Sequence, residues 1–236
     1  MPTEVVGGRF FCKASGVRLS DFTAVDCEFS GCVARRGEGA PLNLFERIDL
    51  ERASQMNCSI YEGVFRDVSL RGLKRLGDAP LFLWGCVFER VVLSGRISAA
   101  KINGSLLSRS KATTEENQRR REAHDLFVKE FYATSDWALD IAQAEFPGGI
   151  SFEAIPGDKI KLDPERHVLV TRNALAASNW QALDFDGTAL NIGLGRFERS
   201  SMFDSIVLAA RSDRKWFKRD LAVLARLRDA GIASLA

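Results

Sequence analysis

Among 236 residues there are two histidines, two tyrosines, three methionines and six prolines. Two histidines without cysteine or carboxylate partners at ligand spacing exclude the usual zinc patterns. His124 and His167 are therefore read as structural residues. No apolar run approaches the roughly 20 residues that a membrane-spanning helix needs. The opening MPTEVVGGRFF has neither the charged start nor the apolar core of a secretory leader. Five cysteines, an odd number, exclude a complete set of internal disulfides. These absences predict a reduced, cytoplasmic protein with no membrane partner. A formal net charge of +2 excludes both a polyanion and a strongly basic nucleic-acid binder. There is no G-x-S-x-G, P-loop, H-E-x-x-H or dinucleotide glycine fingerprint. GLGRFE, residues 193–198, has glycines without the strand-before, helix-after setting of a phosphate loop. No catalytic residue, metal site or cofactor is assigned, and the chain is expected not to be an enzyme.

What is present is a period of five. In CSIYEGVFRDVSLRG, residues 58–72, Ile60, Phe65 and Leu70 are five apart, and so are Cys58, Gly63 and Val68. A helix places apolar residues three and four apart and a strand two apart. Units with an inward centre and a second inward slot two places earlier run in three blocks: Cys12 to Arg36, Asn43 to Gly72, and Leu81 to Gly95. The centre is apolar in every unit except that of Gln55, and the earlier slot in every unit except those of Asn43 and Gly63. All five cysteines (Cys12, Cys27, Cys32, Cys58 and Cys86) fall in the earlier slot, where a reduced thiol acts as a small hydrophobe. Cys27 and Cys32 are expected on adjacent inner faces as a buried reduced pair. After Gly95 the frame slips by one, and Ile97, Ile102 and Leu107 carry the pattern on. Two inward residues with one outward between them make a short extended segment. The remaining two positions turn a corner, and they are rich in Gly, Ser, Asp, Asn and Arg. Such a chain coils, and its coils stack as parallel strands about 4.8 Å apart.

IDLER, VSLRG and CEFSG resemble the repeat of the pentapeptide-repeat family over residues 12–105. The resemblance implies a right-handed quadrilateral parallel β-helix, four units to a coil, with a dry interior. The solenoid is assigned to residues 1–107, and a small α/β domain to 108–236, with that domain or its first helix covering the solenoid's open end.

Two insertions, GEGAPL (37–42) and LKRLGDAP (73–80), break the frame and are expected as surface loops. In the second half, Thr113 or Thr114 with Glu115 and Glu116 starts a helix, with Ala123, Phe127 and Phe131 on one face and Leu126 beside them. WALDIAQAEF, PGG and ISFEAI predict a hairpin, with a helix over 136–146 as the competitor. KIKL reads as a short strand, HVLVT (167–171) and SIVLAA (205–210) as strands, and residues 173–183 as a short helix. SDRKWFKRDLAVLARLRDAG reads as a helix capped by Ser212 and ended by Gly231, with Trp216, Leu221, Leu224 and Leu227 toward the core. Residues 1–112 carry net +4 and residues 113–236 net −2.

Pentapeptide-repeat proteins are mostly non-enzymatic binding scaffolds, and some bind DNA gyrase or other type II topoisomerases as DNA mimics. The expected function is a protein-binding module, with a toxin-neutralising (immunity-type) inhibitor of the kind found in bacteria as the leading form. Topoisomerase protection and an enzyme site in the α/β half are the alternatives. The expected contact residues are Arg35, Arg36 and Glu38 at the first loop and Lys74, Arg75 and Asp78 at the second. The partner is a protein (toxin or topoisomerase), with no direct nucleic-acid contact, and a homodimer is left open.

Overall fold

The computed structural model describes residues 3–98, 100–108 and 112–234. The first half is a stack of parallel strands with no closed barrel, compatible with a parallel β-helix or solenoid. A small α/β region follows. Residues 109–111, just after the expected boundary between 107 and 108, lie outside the described residues.

The stack contains β1 (Thr3–Val6), β2 (Arg9–Phe10), β3 (Lys13–Ser15), β4 (Arg18–Val25), β5 (Glu28–Ser30) and β6 (Val33–Arg35). It continues through β7 (Asn43–Met56), β8 (Ser59–Tyr61), β9 (Gly63–Arg75), β10 (Leu81–Trp84), β11 (Val87–Ile97) and β12 (Ala100–Asn103). Then come α1 (Thr114–Thr134), β13 (Leu139–Glu145), β14 (Ile160–Lys161), β15 (His167–Thr171) and α2 (Arg172–Ala176). The last elements are α3 (Leu190–Ser200), β16 (Ser205–Ala209), α4 (Phe217–Asp229) and β17 (Ala233–Ser234). Among the described residues a nine-stranded sheet and a five-stranded sheet, β12-β10-β8-β6-β3, make the rod, and β16-β15-β17 form a third, antiparallel sheet.

The strand register carries the period of five. Lys13 pairs with Val33, and Asn43 pairs with Gly63, so a return takes twenty residues, or four units, where no insertion intervenes. Inward residues stack in columns. Phe22, Ile48, Val68 and Val91 are neighbours in register and all buried, each such side chain contributing about 1.5–3 kcal/mol of apolar burial. The rings of Phe45, Phe65 and Phe88 stack at centroid spacings of 4.8 and 5.3 Å. Corners turn through the left-handed region. Asp21, Asp26, Arg47, Arg52, Asn57, Glu62, Asp67 and Arg90, each the last residue of its unit, have φ between 50° and 56°. Such a φ costs a non-glycine residue about 1–2 kcal/mol. Arg36, at the first insertion, is the repeat's one last-position residue without a positive φ.

The repeat begins earlier than the sequence suggests. Val5 pairs with Ala24 and Phe10 with Phe29, so residues 3–10 belong to a first return that the frame from Cys12 omits. The second insertion is shorter than expected, because Leu73 to Arg75 remain in β9, paired with Ala53 to Gln55. Ile97 and Ile102 are buried in the stack, whereas Leu107 is exposed and Leu106 is the buried neighbour. Cys12, Cys32 and Cys58 share one inward column, and Cys27 stands in a different one. All five thiols are free. Burial pushes the Cys86 thiol up to about 12.

The far end of the rod is covered. Thr113 and Glu116 form a reciprocal capping box at the start of α1. Its buried face is His124, Val128, Phe131 and Tyr132, while Ala123 and Leu126 face outward. That face follows from where the rod ends: the backbone N–H of Phe88 donates to the Tyr132 hydroxyl at 3.3 Å. The expected hairpin is absent. β13 pairs parallel to β11, β14 pairs parallel to β13, and both prolong the nine-stranded sheet. Residues 150–155 form turns and bury Phe152 and Ile155. The helix expected over 173–183 divides into α2 and a short 3₁₀ turn at Trp180–Ala182. GLGRFE lies inside α3, a helix hidden in the sequence by two glycines of poor helix propensity. Ser212 does not cap α4, because its backbone N–H donates to Phe146 and the helix starts at Phe217. Among the described residues no helix is long and apolar enough to cross a membrane.

Candidate partner-binding face

The five-stranded sheet is framed by both insertions. Residues 36–42 leave it at the end of β6, and residues 76–80 enter it at the start of β10. Because its strands are parallel, the two loops stand at opposite ends of those strands and on either side of β8. The contact residues expected from sequence therefore border one surface, and Arg35, Arg36, Glu38, Lys74, Arg75 and Asp78 are all exposed.

The two polar residues that break the repeat anchor this frame. Asn43 is fully buried. Its Oδ1 accepts from the Val17 backbone N–H at 2.9 Å, and its Nδ2 donates to the Tyr61 carbonyl at 2.7 Å. It ties the strand that follows the first loop to the five-stranded sheet. Gln55, also buried, donates through Nε2 to the Ala79 carbonyl at 3.2 Å and accepts from the Cys58 N–H at 3.3 Å, holding the second loop down. Further contacts fix each loop. Gly37 donates to Ser15 Oγ at 2.7 Å, and Arg36 Nε donates to the Ala40 carbonyl at 2.8 Å. Arg75 donates to the Asp78 carbonyl at 3.2 Å.

A buried carboxylate links the first loop to the cap. Glu62, only 3% exposed, accepts from Arg120 of α1 at 2.7 Å and stands 3.6 Å from Arg36. His124 lies nearby against Gly85, where a Cβ would come within 3.2 Å of its Nε2. Desolvation lowers the His124 pKa, and the Glu62 carboxylate partly opposes that.

The outward side chains of the five-stranded sheet alternate with the inward Ala14, Ala34, Ile60, Leu83 and Ile102. They are Lys13 and Ser15, Val33 and Arg35, Ser59 and Tyr61, Phe82 and Trp84, Lys101 and Asn103. None is a carboxylate. Three are cations, and three are half-buried aromatics. The Arg35 guanidinium lies 4.7 Å from the Tyr61 ring centroid, and the Phe82 and Trp84 rings stack at 6.1 Å. Tyr61, Phe82, Trp84, Lys13 and Lys101 were not read as site residues from sequence. Their signal was the same period of five. It shows them side by side only when the chain is wound with the two insertions at their true lengths.

Elsewhere on the rod, many charges are matched. Arg47 with Asp21, Arg52 with Asp26 and Arg90 with Asp67 form paired bonds across corners at 2.6–2.9 Å. These guanidinium partners hold the three carboxyls below the ordinary carboxylate range. Arg66 bonds Glu89 at 2.8 Å, and Arg71 bonds both Asp49 and Glu51 at 3.0 Å.

In the α/β region several polar groups hold the fold together. Arg172 donates to the Ser201 and Phe203 carbonyls. Ser205 donates to Asp158 at 2.9 Å. Asp220 binds Arg211 through both oxygens. His167 accepts from the Asp163 N–H through Nδ1. Among the described residues no cluster of His, Cys, Asp or Glu could hold a metal ion. No protein-family model matches the chain, and neither a curated protein nor a solved structure matches it.

Proposed function

We propose that the rod is a right-handed, four-sided β-helix of the pentapeptide-repeat type, and that the protein is a non-enzymatic binding module. Its five-stranded sheet and two loops dock one protein partner, and inhibition by occlusion, as in toxin neutralisation, is the form of action favoured. One observation carries the reading: a carboxylate-free sheet with aromatics at its centre is bordered by both insertions. Function commonly resides on loops held by a rigid scaffold, and surface aromatics that are half-buried beside arginine are typical of interface centres. The DNA-mimic alternative is disfavoured, because a mimic needs unbroken rows of carboxylate. Here the corner column alternates Asp21, Arg47, Asp67 and Arg90.

The test is affinity capture from an extract of the source cells. Three immobilised proteins are compared: wild type, Phe82→Ser/Trp84→Ser, and Arg71→Ala on the other sheet. One protein should be retained by the first and third and lost from the second, and its toxicity on expression should be relieved by co-expression of the wild type. Equal retention by all three, or retention of a topoisomerase subunit, overturns the reading.

A further inference from the structure

We infer that the partner surface met by the five-stranded sheet is acidic, a protein patch bearing several carboxylates. This rests on the reading of that sheet as the docking face. Lys13 stands on β3 at one edge of the sheet, Lys101 on β12 at the other, and Arg35 on β6, while Tyr61, Phe82 and Trp84 occupy β8 and β10 between them. An aromatic centre with a charged rim is the layout of a protein–protein interface. The three cations are exposed. Among the described residues Lys13 and Arg35 contact aromatic rings, and no carboxylate forms an ion pair with any of the three.

Nucleic acid fits this surface less well. Single strands bind by stacking bases on open ring faces. The Tyr61 face holds Arg35 at 4.7 Å, and Phe82 and Trp84 cover one another. Strong duplex binding neutralises about six to ten phosphates, more than the sheet's three cations supply even with Lys74 and Arg75 beside them. Size decides one further point. Five strands span roughly 19 Å at the usual spacing, and a three-residue segment about 10 Å, which is well below the roughly 800 Å² per partner of a stable interface. Both loops must therefore join the contact, and the end of β9, just before the second loop, adds Lys74 and Arg75, which are also exposed.

Full-length protein is titrated with fluorescent poly-L-glutamate and with an oligothymidylate of equal charge. Poly-L-glutamate should bind, and its affinity should fall about tenfold or more between about 50 and 200 mM salt. It should fall at least as much in the Lys13→Glu/Arg35→Glu/Lys101→Glu variant. Lys13→Gln/Lys101→Gln, with an unchanged melting temperature, should give an intermediate loss, which separates charge from misfolding. Tighter binding of the oligothymidylate through the same residues overturns the inference and the protein-docking reading together. Poly-L-glutamate binding untouched by the triple variant overturns the inference. A protein captured through Phe82 and Trp84 but indifferent to charge reversal and salt overturns the acidic partner and leaves the docking reading standing.

Discussion

The two sheets of the rod are built from one repeat, yet they treat their outer positions differently. On the nine-stranded sheet, arginines and carboxylates answer one another from coil to coil, as Asp21 does Arg47, Asp67 does Arg90 and Glu89 does Arg66. On the five-stranded sheet, cations and aromatics stand without a carboxylate, and the only nearby buried acid, Glu62, is held between Arg36 and Arg120. Inward positions are constrained equally in both by stacking. The difference therefore lives in outer residues that stacking does not constrain, and it is the basis on which the five-stranded sheet is proposed as the docking face.

The largest expected effect comes from cutting the tie between the sheets. Asn43→Leu keeps the volume but leaves the Val17 N–H and the Tyr61 carbonyl buried without partners. At about 1–3 kcal/mol for each of the two unsatisfied groups, a loss of about 2–6 kcal/mol is expected in chemical denaturation. A loss below about 1 kcal/mol would mean that the two sheets do not depend on this bridge.

Acid should separate the regions next. Burial, with Arg166 beside it, lowers the His167 pKa to about 4, against an ordinary value near 6.5. The unfolded chain takes up this proton below about pH 6.5 and the native chain only near pH 4. The stabilisation is therefore complete above about 6.5 and is lost as pH falls through that window, by about 3 kcal/mol. His124 is displaced in the same direction. The corner aspartates, held low by their arginines, lose their contribution only below the ordinary carboxylate range. Melting temperature between pH 8 and 4 should thus fall before the corners are protonated. The fall should be shallower in His167→Gln, and an identical slope would remove His167 as its source.

The smallest effect is at the ladder itself. Asp67→Asn breaks an exposed pair with Arg90, and exposed pairs contribute little and are screened by salt. The melting temperature should move by about a degree or two at low salt, and less at high salt. A larger change that salt does not diminish would show the corners to be structural supports.

Much of this was legible before folding. The period of five located the inward columns, with Cys27, Cys58 and Cys86 buried, Cys32 half-buried and Cys12 exposed, and its exceptions Asn43 and Gln55 proved to be the residues that hold the insertions. Less legible was anything decided by an end. The first return was missed because Val5 and Phe10 repeat only once before the register changes by a residue. Leu73 to Arg75 looked like loop because Arg75 fills a central slot that every unit but that of Gln55, its own neighbour in register, keeps apolar. The buried face of α1 went to His124, Val128 and Tyr132, since a helix across the end of a stack buries whatever meets the last coil. The same reason turned the WALDIAQAEF segment from a hairpin arm into a strand added to the rod.

The sequence by itself determined the coil, because a five-residue alternation of inward and corner positions can bury its apolar side chains only by stacking on copies of itself. It also determined the start of α1 and the corner chemistry, which are local. Tertiary structure alone decided which outer residues became neighbours. Lys13, Arg35, Tyr61, Trp84 and Lys101 are separated by about twenty residues or more in the chain, and they meet because the lengths of two insertions set the register between coils. An outer side chain has no burial energy to fix its neighbours in advance, so its meaning waits on that register.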